Sequence, residues 1–122
     1  MINRAGERVW PTPQSVQSAE RNTPPTPGTY LKPSIVDAPG EASYPISAFT
    51  YLLVYRDLSE MDPEKAHALI DFLRWILTTG QPEAEILHYT PLPENLRDAV
   101  LADIDRITLP PAPGKRESSE VR

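Results

Sequence analysis

Cysteine is absent from this chain of 122 residues, so neither a disulfide nor a thiolate-bound metal can be built from it. Positive charge is in short supply: 12 Lys and Arg stand against 17 Asp and Glu, a formal net charge of −5. The basic residues are scattered, and no run or face concentrates them enough to neutralise a nucleic-acid backbone, so no nucleic-acid partner is expected. Small anions are not excluded by that balance, because local geometry overrides net charge. Long hydrophobic runs are missing too. The longest, Leu52-Leu53-Val54 with its aromatic neighbours, falls far short of the roughly 20 residues that cross a bilayer, and no membrane span is expected. The chain opens Met1-Ile2-Asn3-Arg4 without an apolar core segment, so no signal peptide is read there.

Proline, by contrast, is abundant. Fifteen prolines, most of them outside the helical patterns, punctuate the chain and reduce the share of it that can form one compact core. That core is expected from residues 44–109. Before it, residues 8–10 suit a short strand after a turn at Gly6, and residues 14–21 suit a short helix entered through Thr12 or Pro13. Thr23-Pro24-Pro25-Thr26-Pro27-Gly28 is neither helix nor central strand, because its prolines remove donors and fix φ. It is a stiff surface loop or a polyproline-like spacer, with docking to a proline-recognising domain as the functional alternative. Ser34-Ile35-Val36 suits a brief strand ended by the turn Asp37-Ala38-Pro39-Gly40.

Residues 46–55 are the best strand candidate. Ile46, Phe49, Tyr51, Leu52, Leu53, Val54 and Tyr55 form an almost continuous apolar run, as in a strand covered on both faces. A helix follows, with Asp62 as N-cap, Pro63 at its first position and Glu64 complementing the positive end. Ala66, Leu69, Ile70, Leu73, Ile76 and Leu77 line one face, Phe72 and Trp75 widen that stripe toward the core, and Gly80 is expected as a left-handed C-terminal cap. Pro82 starts a short turn of helix, Tyr89-Thr90-Pro91-Leu92-Pro93 is a rigid connector, and a last helix over residues 94–107 carries Leu96, Val100, Ile104 and Ile107 on one stripe. The tail at residues 110–122 is polar and proline-punctuated, and is expected to be disordered.

Residues that could carry chemistry are few. His67 and His88 are 21 positions apart with no third ligand at metal spacing, so a metal site is not expected. Asp98, Asp103 and Asp105 suit a solvated helix face rather than a catalytic cluster. No serine has an identifiable base and orienting acid, and no catalytic residue is assigned. For an anion, the one strong helix start bears Asp62 and Glu64, which repel it. Thr78-Thr79-Gly80 lies at the wrong end of the helix dipole, and no phosphate-cradling glycine loop is present.

Five blocks, in order, carry a family resemblance. They are Ile2-Asn3-Arg4-Ala5-Gly6; Ser34-Ile35-Val36-Asp37-Ala38-Pro39-Gly40; Tyr44-Pro45-Ile46-Ser47-Ala48-Phe49-Thr50-Tyr51-Leu52-Leu53-Val54; the helix Asp62-Pro63-Glu64-Lys65-Ala66 through Phe72-Leu73-Arg74-Trp75 to Gly80-Gln81; and Tyr89-Thr90-Pro91-Leu92-Pro93. Together they resemble the C-terminal part of the substrate-binding protein (PstS-type) of the bacterial phosphate ABC transporter, over most of residues 2–107. The resemblance implies an α/β fold: a partial lobe of a type II periplasmic binding protein, with few strands and two main helices, incomplete as a domain. It implies a remnant of the second lobe with the proline-rich loop at residues 1–43, a first-lobe segment at 44–109 and the tail at 110–122.

The family holds phosphate with hydroxyls, backbone amides, an arginine and an aspartate from segments that lie earlier in the protein. None has a counterpart here, so no phosphate-binding, catalytic or metal residue and no cofactor is expected. The spacer at Thr23 to Pro27 also departs from the family's alanine-rich stretch. The expectation is a truncated product or split half of a phosphate receptor, unable to bind phosphate alone and not an enzyme. By resemblance its setting is periplasmic or cell-surface, and its partners are inorganic phosphate and ABC permease subunits in the full-length family. The alternative is a small non-enzymatic interaction module that docks on a partner.

Overall fold

The computed structural model describes residues 1–23 and 34–111. The spacer from Pro24 onward and the tail from residue 112 onward lie outside the described residues. Among the described residues the regular elements are four helices, α1 (Pro13–Arg21), α2 (Pro63–Leu77), α3 (Gln81–Ile86) and α4 (Glu94–Ile104), together with two isolated β-bridges. The chain divides into two compact units, Met1–Leu52 with Pro82–Pro93, and Leu53–Gln81 with the chain from Glu94 onward.

The first unit begins with a tight reversal. The Met1 ammonium and the Val9 amide each donate to the other residue's carbonyl, at 3.0 and 2.8 Å, and the Asn3 amide donates to Glu7 O at 2.9 Å. Gly6 makes the reversal possible by adopting φ +87° while its amide donates to Asn3 O. The strand expected at residues 8–10 therefore shrinks to a single antiparallel bridge between Ile2 and Arg8, because Pro11 and Pro13 follow at once.

Helix α1 starts as its sequence dictates. Thr12 Oγ1 accepts from the Ser15 amide at 3.2 Å, Ser15 Oγ accepts from the Thr12 amide at 3.0 Å, and Pro13 needs no donor at the first helical position. Its buried residues are Ser15, Ser18, Ala19 and Glu20, and the small ones among them allow close approach of the loop at residues 37–45. The Tyr44 amide donates to Ser15 O at 3.0 Å, and Gln17 Nε2 donates to Pro91 O at 3.1 Å. Ser34-Ile35-Val36 forms no strand. Ile35 is buried, but Val36 and Asp37 turn, with Asp37 at φ +51°. Val9, Ala19, Ile35 and Ala38 form this unit's apolar core, so the core is not confined to residues 44–109.

In the second unit α2 packs against α4. Asp62 Oδ1 accepts the Lys65 amide at 3.1 Å and Pro63 occupies the first turn, as the sequence predicts. Ala66, Ile70, Leu73 and Leu77 are buried, and α4 contributes Ile104, with Leu96 and Val100 half-buried on the same stripe; the helix ends at Ile104 rather than 107, and the half-buried Ile107 lies in the turn that leads to the Thr108 bridge. Phe72 and Trp75 depart from expectation. The inward face is already filled by the 66-70-73-77 row, so these rings lie outside it, 55% and 47% exposed, and stack on each other at 6.1 Å. Gly80 is likewise not a left-handed cap. Close approach favours it instead: a Cβ there would sit 3.1–3.2 Å from the carbonyl oxygen and ring of Trp75, tighter than ordinary contact, and its amide donates to Trp75 O at 2.8 Å.

The largest departure is at residues 46–55. No ladder forms, and Ile46, Tyr51, Leu52, Leu53 and Tyr55 are exposed rather than doubly covered. A strand is stable only beside a hydrogen-bonding neighbour, and no described residue supplies one. Pairing begins only at its end, where Asp57 and Thr108 form a parallel bridge. There the Leu58 amide donates to Thr108 O at 2.8 Å and the Thr108 amide to Arg56 O at 2.9 Å. The α/β architecture is therefore not built by the described residues themselves, which are helical with vestigial strand pairing.

Candidate functional site

The most organised polar feature is in the first unit, and it centres on Asn3. This residue is buried, and its side-chain amide donates to Gly40 O, Glu41 O and Ser43 O at 3.1, 2.8 and 3.2 Å. Its Oδ1 accepts from the Ala5 and Glu7 amides, both at 3.0 Å. One side chain thus joins the N-terminal reversal to the loop that follows Pro39. Ser43, fully enclosed, extends the network. Its hydroxyl donates to Pro39 O at 2.7 Å, lies 3.3 Å from Ser18 Oγ and accepts from Asn22 Nδ2 at 3.0 Å. The Asn3 side-chain amide and the Ser43 hydroxyl are both spent on the protein's own backbone and side chains, which marks the hub as structural.

Beside the hub lies a shallow, open cleft of ≈ 590 Å³, lined by Arg8, Trp10, Thr12, Gln14, Arg21 and Glu41 among others. Two arginines give it some pull on an anion, but Glu7 and Glu41 line it as well. The start of α1 offers no free cradle, because the capping box takes up its first-turn donor and the Ser15 hydroxyl also donates to Trp10 O at 2.6 Å. At α2 the positive end is occupied by Asp62 and Glu64. Thr78 Oγ1 donates to Arg74 O at 2.7 Å, so the Thr78-Thr79-Gly80 stretch serves to close the helix C-terminus.

The remaining candidates sit apart. His67 is half-buried on α2, and its Nε2 has no hydrogen-bond partner among the described residues; His88 is exposed at φ +64°, where it ends α3. No group of three His, Cys, Asp or Glu among the described residues is arranged to hold a metal ion. The three aspartates are surface ion-pair partners: Asp98 lies 3.8 Å from Arg97, Asp103 2.9 Å from Arg106 and Asp105 2.9 Å from Arg74. Asp57 is held below the usual aspartate range by the Ser59 side chain and then by its backbone amide, with a small opposing contribution from burial. It lies at the parallel bridge to Thr108, just before the turn at Ser59 and Glu60. Sequence reasoning did not single out Asn3 or Ser43. The only local signal was Asn3 three residues before Gly6, since contacts across 37–40 positions leave no periodic trace.

No protein-family model matches the chain. Curated relatives do. A phosphate-binding protein PstS of Methanocaldococcus jannaschii is 39% identical over 114 residues, covering 86% of this chain and 29% of that protein. The PstS of Xylella fastidiosa is 35% identical over 94 residues, 77% of this chain and 25% of that protein, and the PstS of Pasteurella multocida is 28% identical over 100 residues. Most of this chain is homologous to a segment of the PstS phosphate-binding proteins. It spans only 25–29% of the length of these PstS relatives, so it corresponds to a minor part of each. The similarity is consistent with a periplasmic-binding-protein fold for the whole PstS molecule. No helix among the described residues is long and apolar enough to cross a membrane.

Proposed function

We propose that this chain is the C-terminal portion of a phosphate-binding protein of the PstS kind, a scaffold segment that does not itself hold phosphate. The observation that carries the reading is the 39% identity across 86% of the chain to a protein named for phosphate binding, of which it spans 29%. In this reading, residues 1–43 belong with the second lobe, and 44–109 return to the first. Phosphate ligands come from the remainder of the fold, and the chain acts by completing a lobe rather than by chemistry, so it is not an enzyme. The whole assembly works in phosphate import, outside the cytoplasmic membrane and with permease subunits as partners. What supports the non-ligating role is the satisfied state of the polar groups. The Asn3–Ser43 hub is internally bonded, the starts of α1 and α2 are capped, and acidic residues stand at the cleft and at α2.

The test is isothermal titration of the folded chain with inorganic phosphate. No saturable heat is expected, and tight stoichiometric binding would refute the non-ligating role. A second reading, an interaction module, is favoured by one observation, the exposure of Tyr51, Leu52, Leu53 and Tyr55 together.

A further inference from the structure

We draw no further inference here: the strongest candidate, the open cleft beside α1 in the first unit, carries nothing, because its lining sets Arg8 and Arg21 against Glu7 and Glu41 and nothing in the structure shows what would occupy it.

Discussion

Asn3 shows how much of this small molecule hangs on a single amide, with three donations to loop carbonyls and two acceptances from turn amides, all at 2.8–3.2 Å. Asn3→Ala is expected to lower stability by about 1–3 kcal/mol, the cost of stranding buried polar groups, measurable by urea denaturation. Asn3→Asp is expected to do worse at neutral pH, because a carboxylate would face three carbonyl oxygens, and to recover partly as acid protonates it. Glycines separate in the same way. Gly6 at φ +87° has open space for a Cβ, so Gly6→Ala is expected to cost only about 1 kcal/mol of backbone strain. Gly40 at φ +110° would drive a Cβ into the Asn22 amide, so Gly40→Ala is expected to be the more damaging of the two. Asp57 supplies the pH dependence. Its folded pKa is depressed, first by the Ser59 side chain and then by its amide, so its contribution to stability is present above the ordinary aspartate pKa and is lost as pH falls through the depressed value. An NMR titration should find Asp57 protonating below ordinary aspartates, and Ser59→Ala should move it upward; an unmoved midpoint would contradict that cause.

Elements with local signals were legible from sequence, and those needing distant partners were not. The α1 and α2 starts are written in Thr12-Pro13 and Asp62-Pro63, and both caps form as expected. Asp62→Ala is expected to destabilise the second unit by about 1 kcal/mol, read as a shift in its denaturation midpoint without a change of slope. The stripe on α4 was legible for the same reason, a repeat of three and four residues. Strand 46–55 was misjudged because composition records a preference for a pleated, covered surface and not whether a neighbour exists to cover it. Phe72 and Trp75 were misjudged because a stripe too wide for one face has to leave some rings outside. Gly80 was placed correctly at the helix end for the wrong reason, since close approach to Trp75 rather than left-handed backbone selects it.

At the scale of the whole molecule, two small cores replace the single core that the sequence suggested. Val9, Ala19, Ile35 and Ala38 serve one unit, while Leu58, Ala66, Ile70, Leu73, Leu77 and Ile104 serve the other. Cores of this size leave little margin over chain entropy, so a broad thermal transition is expected by calorimetry, and a sharp cooperative one would contradict it. The resemblance to PstS proteins was legible, because five ordered blocks carry it and two PstS relatives match 86% and 77% of the chain. The polar hub was not, because its members are drawn together only by the fold. The reading proposed above is that this chain, similar to a segment of phosphate-binding proteins, does not itself hold phosphate. Titrating inorganic phosphate into the folded chain by calorimetry tests it most directly. Only heats of dilution are expected, and a saturable, stoichiometric isotherm would contradict the non-ligating role.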